Sequence, residues 1–300
     1  MSTQAPVKDA IRSLKADYDQ LRKGKDSLLK IINESELSES VFNSNAIENS
    51  TLTLKETERI LLELEVSRNI PIREVFEAKN LAQVMDYTRN KAVNSELTAD
   101  LILLLHKMLL GNINEAYAGR FRTSGEYVRV GTHIAPPPEQ VVQMIEKILI
   151  DYSADHTSYF ADKVTKFHLA FETIHPFCDG NGRIGRVLVN YQLMQAGFPV
   201  IIIRDKEKRA YYKAFTEYND SKNVKPMEKI ITLALIESLH KRIAYLRGDT
   251  IVTLSDFARS GGKSLNTLLN AARRQTLPAF REKGVWKIGS YLLTETNGQN

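Results

Sequence analysis

Apolar residues recur at spacings of three and four through most of the chain, with polar residues between them. This is the period of an amphipathic α-helix, in which residues three or four apart share a face. We therefore expect an all-α fold for most of the chain. The predicted helices cover residues 8 to about 32, 53–66, 75–87, 101–110, 141–152, 164–174, 184–194 and 227–246.

Local signals mark the ends of several of these helices. Gly24 is expected to interrupt the first, since glycine weakens a helix interior. Thr53–Glu56 has the composition of a capping box, in which the two side chains bond each other's backbone amides. Gly111 should close the helix over 101–110. The helix over 8–32 carries a narrow apolar stripe, which indicates packing or contact with a second copy of the chain.

Residues 119–133 depart from the helical period. Within them, Tyr127 and Arg129 alternate with Val128 and Val130, and glycines bound the segment. Alternation of this kind predicts a small β-hairpin. A plain connector is the alternative that the alternation makes less favourable.

A separate arrangement follows Gly248–Asp249. We expect a short helix from Leu254, a turn at Gly261–Gly262, and a second helix capped by Ser264. Residues 280–288 then predict a two-stranded ribbon with a tight turn. Two helices followed by a ribbon are typical of a winged-helix domain, placed here at 248–300.

The net charge of +5 is unevenly distributed. Seven basic and three acidic residues follow position 249, so +4 of the net charge belongs to the C-terminal segment. A basic second helix would suit phosphate contacts, which makes DNA a candidate partner through residues 250–290. A protein–protein or dimerisation module is the alternative for the same segment.

Targeting and redox signals are few. The apolar run Leu101–Leu110 is too short to span a bilayer, and the N-terminus has no signal-peptide apolar core. Cys178 is the single cysteine, which excludes an intrachain disulfide and a cysteine metal cluster. We expect a cytoplasmic protein with no membrane contact.

The segment His175–Arg186 concentrates chemistry between two predicted helices. Pro176 disfavours the helical backbone for His175, so the upstream helix should end there. A second helix should begin at Gly180–Gly182 and end near Gly197. The first amides of a helix lack internal partners and bind anions, and the glycines allow close approach of the backbone.

The side chains around this loop fit nucleotide chemistry. Arg183 and Arg186 are three apart and share a helix face, from which they can bond phosphate oxygens. Asp179 offers an oxygen ligand for Mg²⁺, and His175 can accept a proton at neutral pH. Each feature alone is commonly structural, but together they indicate transfer of a phosphate-containing group from a magnesium nucleotide to a hydroxyl.

The segment matches without a gap the signature His-Pro-Phe-x-Asp/Glu-Gly-Asn-Gly-Arg-x-x-Arg, and the chain resembles the Fic family over about residues 40–246. The resemblance implies a Fic fold and a protein adenylyltransferase that moves AMP from ATP to a hydroxyl side chain. It implies that His175 is the base, that Asp179 holds Mg²⁺ or Mn²⁺, and that Asn181 helps to place the transferred phosphate. Arg183 and Arg186 would orient the outer phosphates, and the amides of Gly180, Asn181 and Gly182 would bind the α-phosphate.

Three further features carry the resemblance. Ser44 and Glu48 resemble the inhibitory motif Ser/Thr-x-x-x-Glu-Gly/Asn, on a helix over about 40–50 that presents its glutamate to Arg186. The alternative is that Glu48 is an ordinary solvated residue of this helix. Residues 119–134, with Val128, Val130 and Gly131, resemble the flap that aligns a target protein by strand addition, although the spacing from Arg122 to Val128 is longer than in the family.

The segment that follows the signature resembles the part of Fic enzymes that flanks the nucleoside. Tyr212 and Asn219 are its candidate adenine contacts, one by stacking and one by hydrogen bonding. Helix core is an equally good interpretation of Tyr212.

The sequence thus predicts residues 1–39 as a helical segment, 40–247 as a Fic domain and 248–300 as a winged-helix-like domain. ATP, an unidentified target protein, DNA and a second copy of the chain are the candidate partners. AMP removal, or transfer of UMP, phosphocholine or phosphoryl, competes with AMP transfer, and the intact Gly-Asn-Gly segment disfavours phosphoryl transfer. A regulator that senses nucleotide and binds DNA is the alternative from another class.

Overall fold

The computed structural model describes residues 3–63, 65–66, 70–93, 95–131 and 133–289. The chain divides into two compact units. The larger comprises Leu37–Ile231 with Thr3, and the smaller comprises Gln4–Glu36 and the described residues from Thr232 onward. No helix of the described residues is long and apolar enough to cross a membrane.

The described residues are mostly helical, as the apolar period predicts. The α-helices are α1 (Ala5–Leu21), α2 (Asp26–Ile47), α3 (Leu54–Glu58), α4 (Ile72–Lys91), α5 (Ala99–Leu110), α6 (Val141–Ala154), α7 (Phe160–Ile174), α8 (Asn181–Gln195), α9 (Lys208–Ser221), α10 (Lys225–Arg247), α11 (Leu254–Ser260) and α12 (Leu265–Arg273). Short 3₁₀ turns occupy Pro138–Gln140 and Asp205–Glu207.

The ends of several helices follow the predicted signals. Gly24 has a φ of +70° and lies in the break between α1 and α2, so the predicted helix over 8–32 is two helices. Thr53 and Glu56 form the expected capping box at α3. The helix continues beyond α3 as a π-helical turn, Arg59–Glu63. Leu64 lies outside the described residues, and Glu65 and Val66 are not helical, so the predicted end near Val66 was too late.

Two small antiparallel sheets accompany the helices. The first pairs β1 (Arg129–Val130) with β2 (His133–Ile134), which confirms the hairpin but shortens its strands to two residues each. Thr132 of this turn lies outside the described residues. The second sheet has the order β3-β5-β4, with β3 (Ile251–Thr253), β4 (Ala279–Glu282) and β5 (Val285–Gly289). The ribbon β4–β5 was predicted, and β3 was not.

The core of the larger unit surrounds the loop between α7 and α8. Apolar side chains of α5, α7 and α8 pack around Phe177, which is fully buried. Phe171 of α7 lies 6.4 Å from Phe177 between ring centroids. Burying an aromatic side chain stabilises a fold by about 1.5–3 kcal/mol, so this packing fixes the loop that carries the signature.

The smaller unit has its own apolar core and a buried ion-pair network, in which Glu36 lies 3.0 Å from Lys241 Nζ and 2.6 Å from Arg242 Nη2. Leu254, Phe257, Leu268 and Ile288 belong to its apolar cluster. The predicted division into 1–39, 40–247 and 248–300 stays a prediction, and residues 290–300 of its last segment, with Glu295 of the charge count, lie outside the described residues.

Candidate active site

The loop between α7 and α8 has a defined backbone conformation. His175 caps α7 in the left-handed region, with φ +49°, and Gly180 precedes α8 with φ +83°. A Cβ atom at Gly180 would approach Leu109 to 3.0 Å, and its φ is one that L side chains rarely adopt. α8 thus begins at Asn181, within the Gly180–Gly182 segment where the sequence predicted its start, and the first amides of a helix have no partner inside it.

Arg122 braces this loop from outside the signature. Its Nε donates to the carbonyl oxygen of His175 at 2.8 Å, and its Nη2 donates to those of Ile174 at 3.1 Å and Pro136 at 2.6 Å. Arg122 is 2% exposed. Sequence reasoning missed this role, because the partners are backbone carbonyls 14, 52 and 53 positions away, which no local pattern predicts.

Asn181 closes the loop on itself. Its Oδ1 accepts from the amide of Phe177 at 2.9 Å, and its Nδ2 donates to the carbonyl of Phe177 at 2.8 Å. Both polar ends of this buried side chain are thus engaged inside the loop. Its expected contact with a transferred phosphate stays a prediction.

His106 of α5 supports the loop from the side. Its ring stacks on Phe177 at 3.6 Å between centroids, and its Nδ1 accepts from the amide of Gly119 at 3.1 Å. Nε2 must then carry the hydrogen and donate to the carbonyl of Asp179, which lies 3.0 Å away. Burial lowers the pKa of His106 to about 4, which keeps it neutral. A polar residue inside the apolar run 101–110 was the signal that could have revealed it.

His175 presents the geometry of a neutral base. Its Nδ1 lies 3.3 Å from the carbonyl oxygen of Glu172, so Nδ1–H donates there and Nε2 keeps its lone pair. Burial lowers the pKa of His175 to about 4. The ring lines a pocket of about 1050 Å³, which is where a hydroxyl substrate could meet it.

Glu172 is a pocket residue that the sequence did not single out. Its Oε2 lies 3.7 Å from Nδ1 of His175, and its Oε1 has no hydrogen-bond partner among the described residues. Burial raises the pKa of Glu172 to about 8, and the charge of Arg186 opposes this shift. A Cβ at Gly185 would lie 2.2 Å from Oε1, so the absence of a side chain there makes room for this carboxyl group.

Glu48 contacts Arg186, as the resemblance implied, and Ser44 contacts it as well. Arg186 donates from Nε to Ser44 Oγ at 2.9 Å and from Nη2 to Glu48 Oε1 at 2.9 Å. Arg186 is 5% exposed; burial would lower its pKa, but the charge of Glu48 and other neighbours raise it above the usual value. A Cβ at Gly182 would lie 2.2 Å from Glu48 Oε1, so this glycine permits the contact.

Arg183 and Asp179 belong to a ring of four alternating charges, which we call the ionic ring. Arg73 and Glu77 of α4 are its other members, and neither was predicted. Asp179 accepts from Arg183 Nη2 at 3.0 Å and from Arg73 Nη2 at 2.6 Å. Glu77 Oε1 completes the ring, 3.0 Å from Arg73 Nε and 3.2 Å from Arg183 Nη1.

Asp179 fits the metal that the sequence suggested. It is the carboxylate of the signature, it lines the pocket, and it lies beside the first amides of α8. Within the described ranges, no group of three His, Cys, Asp or Glu side chains is placed to hold a metal ion. One carboxylate completed by substrate phosphates and water is an arrangement that Mg²⁺ commonly adopts.

The remaining predicted residues line the same pocket. Val128, Val130 and Gly131 border it from the hairpin, and Tyr212 and Asn219 border it from α9. The Tyr212 hydroxyl donates to the carbonyl of Ile47 at 3.2 Å, and Asn219 Oδ1 accepts from Thr173 Oγ1 at 3.2 Å. The structure thus brings the predicted residues around one cavity, apart from Ser44 and Arg183, which lie behind it and contact its lining.

Residues 96–193 match the model of the Fic/DOC family. The chain is 30% identical over 224 residues to the protein adenylyltransferase Fic of Nematostella vectensis, an alignment that covers 71% of this chain and 50% of that protein. It is 31% identical over 194 residues to the protein of the same name from Drosophila melanogaster, covering 64% and 39%. The chain thus spans half or less of the length of these curated relatives.

Solved structures show the same fold. A Fic domain containing signaling protein from Bacteroides thetaiotaomicron superposes with a TM-score of 0.74 at 24% identity, covering 80% of this chain and 98% of that chain. Fic-1 from C. elegans superposes with a TM-score of 0.70 at 26% identity, covering 81% and 74%. The mostly helical architecture with small sheets is therefore a Fic fold.

Proposed function

This chain is a Fic/DOC family protein, and on that premise we propose that it is a protein adenylyltransferase, which transfers AMP from ATP to a hydroxyl side chain of a target protein. The observation that carries the proposal is the shared pocket. His175, the amides at Gly180–Gly182 and Arg186 line one cavity, so a base, an anion site and a cation surround the same space. Relatives named protein adenylyltransferase support the choice of AMP.

His175 removes the proton of the attacking hydroxyl. Its Nε2 is the free nitrogen, because Nδ1 is directed at the carbonyl of Glu172. The oxygen then attacks the α-phosphorus, a bond to AMP forms, and the bond to pyrophosphate breaks. The proton passes to Nε2, which can return it to solvent after the transfer.

The N-terminus of α8 stabilises the charge that develops during this step. The amides of Gly180, Asn181 and Gly182 belong to the N-terminal end of α8, where helix amides have no partner inside the helix, and they would serve as donors for the α-phosphate. Arg186 orients the outer phosphates, Arg183 lies behind the pocket and holds Asp179 in position, and Asn181 keeps the loop in register through Phe177. Asp179 would hold Mg²⁺ or Mn²⁺, which neutralises phosphate charge when bound.

The resting enzyme is inhibited by Glu48. A carboxylate at 2.9 Å from Nη2 of Arg186 occupies a donor that an outer phosphate would need. Ser44 holds the same guanidinium through its hydroxyl and its carbonyl oxygen, at 2.9 and 2.8 Å. ATP must displace or bypass this carboxylate before its phosphates can bind in the reactive position.

Removal of AMP from a modified protein is the second candidate. The observation that favours it is that Glu48 and His175 line the same pocket, so a glutamate could position a hydrolytic water near a bound AMP group. A target already carrying AMP would lose it on incubation with the wild-type protein, and the Glu48→Gly variant would not release it.

A winged-helix domain is our proposal for the C-terminal segment. Its support is a three-stranded antiparallel sheet with two short helices, α11 and α12. Arg273 and Arg274 are exposed at the end of α12, where they could contact DNA phosphates. Salt-dependent, sequence-specific binding of duplex DNA would support a regulatory role, and no binding at low salt would exclude DNA as the partner.

Protein labelling with tagged ATP tests the main proposal. Wild type and Glu48→Gly are compared in a time course, using ATP tagged on the α-phosphate and, in parallel, on the γ-phosphate. Label from the α-position alone, stronger in the variant, is the expected result. Label from the γ-position would indicate phosphoryl transfer instead, and no label from either would leave AMP removal as the activity to test.

A further inference from the structure

Asp179 has an arginine on each of its carboxylate oxygens. Arg183 bonds Oδ1 at 3.0 Å and Arg73 bonds Oδ2 at 2.6 Å. The two arginines differ in freedom, because the side chain of Arg183 is 4% exposed and that of Arg73 is 57% exposed. Arg183 is therefore a fixed neighbour of the carboxylate, and Arg73 is the one that can leave.

Glu77 holds both arginines in place. Its Oε1 accepts from Arg73 Nε at 3.0 Å and lies 3.2 Å from Arg183 Nη1. Arg73 is thus bonded through Nε to its own helix and through Nη2 to the loop. If Nη2 were displaced from Asp179, the bond to Glu77 would keep the guanidinium close by.

We propose that Arg73 is a specificity-determining residue for metal binding, because its guanidinium occupies Oδ2 of Asp179 until a nucleotide arrives with its metal ion. This inference rests on the proposed function, since it concerns the nucleotide that the reaction consumes. Arg73 makes the pocket favour the metal–nucleotide complex over a bare divalent ion.

The physical basis is competition between two cations for one oxygen. A guanidinium 2.6 Å from Oδ2 already neutralises that atom, and a divalent ion approaching it would be repelled by the guanidinium at close range. A bare ion would gain a single carboxylate while displacing Arg73. A nucleotide adds phosphate oxygens as ligands, and those oxygens also attract the displaced guanidinium.

Calorimetric titration of Mg²⁺ into the full chain tests this proposal, with and without saturating AMPPNP as a non-hydrolysable nucleotide. In the titration without nucleotide, Arg73→Gln should tighten Mg²⁺ binding by about two- to fivefold, since the energies of exposed ion pairs correspond to changes of this size in affinity. Arg73→Lys keeps the charge and should remain close to wild type. Arg89→Gln is the matched control, because Arg89 is on the same helix and pairs with Asp86 at 3.0 Å, away from the pocket.

The sign of the change separates this proposal from a structural role. If Arg73 served to hold Asp179 in place, its loss would weaken Mg²⁺ binding, and a weaker or unchanged affinity in Arg73→Gln would overturn the inference. Equal tightening in Arg73→Lys and Arg73→Gln would also overturn it, because the charge would then be irrelevant. Failure of the Glu48→Gly variant, which lacks the inhibitory carboxylate, to bind AMPPNP at any Mg²⁺ concentration would refute the proposed function itself.

Discussion

Arg186 Nη2 lies 2.9 Å from Glu48 Oε1, although the two residues are 138 positions apart in the chain. The Arg186 side chain is 6% exposed and that of Glu48 is 33% exposed, so the pair is partly shielded from water. A charge-assisted bond of this kind contributes about 1.5–3 kcal/mol. If the chain has the proposed function, ATP binding competes with this contact.

Replacing Glu48 should release the nucleotide site. We expect Glu48→Gly to tighten ATP binding about tenfold or more, because Arg186 becomes available to an outer phosphate. Glu48→Gln, which keeps the shape and loses the charge, should have an intermediate effect. Fluorescence titration with a labelled ATP analogue measures both, with exposed Glu146→Gly as the control. Equal affinity in wild type and Glu48→Gly would show that the pair does not restrict binding.

His175 should matter for transfer and not for nucleotide binding. His175→Ala is expected to abolish α-phosphate labelling, since no other side chain is proposed to take the hydroxyl proton. The residue has φ +49°, and asparagine tolerates this backbone better than alanine does. His175→Asn should therefore retain the loop and bind the ATP analogue as wild type does. Labelling that persists in both variants would refute the role of base.

Asn181 should be important for stability, because its side chain bonds both polar groups of Phe177. Asn181→Ala leaves two buried backbone groups without these partners, which we expect to cost about 1–3 kcal/mol. Asn181→Asp should cost at least as much, because a carboxylate oxygen would face the Phe177 carbonyl. Urea unfolding gives these energies, and exposed Asn90→Ala on α4 is the control. A loss below 0.5 kcal/mol, roughly the scale of a surface substitution, would contradict this account of the loop.

Stability should fall as the pH decreases from about 6.5 to 4. Burial lowers the pKa values of His106, His175 and His240 to about 4 and that of His168 to about 3. The unfolded chain binds protons at these histidines near pH 6.5, and the folded chain does not, so acid favours unfolding. Each of these histidines should lower the free energy of unfolding by about 1 kcal/mol or more at pH 5.

The titration of Glu172 changes stability in the opposite direction. Burial raises its pKa to about 8. Its contribution to the free energy of unfolding is therefore fully present below about pH 4.5 and is lost as the pH rises through about 8. Urea midpoints measured from pH 5 to pH 9 should therefore pass through a maximum near neutrality. A His106→Asn variant should flatten the acid side of the curve, and Glu172→Gln should flatten the alkaline side. An acid limb of unchanged slope in His106→Asn would contradict the burial argument.

The sequence predicted the helices and caps that depend on residues close together in the chain. The helical period, the capping box at Thr53 and the break at Gly24 depend on residues within about one turn, so α3, α7 and α8 could be placed. The three-residue strand β3 is too short to show alternation, and its partner β5 is more than thirty residues away. A hydrophobic period along the chain cannot predict the pairing of strands that are so far apart in sequence.

The sequence predicted the part of the site that lies within one segment. It did not predict the residues that other elements contribute. The segment from His175 to Arg186 indicated a candidate base and a candidate anion site, and the short pattern of Ser44 and Glu48 indicated Arg186 as the partner of Glu48. Sequence reasoning assigned no role to four charged residues of the site, which are Arg73, Glu77, Arg122 and Glu172. Each is an ordinary charged residue in its own helix or loop. Their roles depend on contacts such as that of Arg73 with Asp179, 106 positions away.

Glu48 directly follows the last residue of α2, and this position has a consequence of its own. The peptide dipoles of a helix sum to a negative potential at its C-terminal end, which disfavours a carboxylate there. The carbonyl oxygens in the last turn of α2 offset this potential by accepting from cations: that of Ser44 accepts from Arg186 Nη2 at 2.8 Å, and that of Ala46 accepts from Lys208 Nζ at 3.3 Å. Arg186 Nη2 is therefore bonded to the helix backbone as well as to the Glu48 carboxylate. A substitution at position 48 leaves the backbone contact in place, so the guanidinium stays bonded to the end of α2 when the carboxylate is removed.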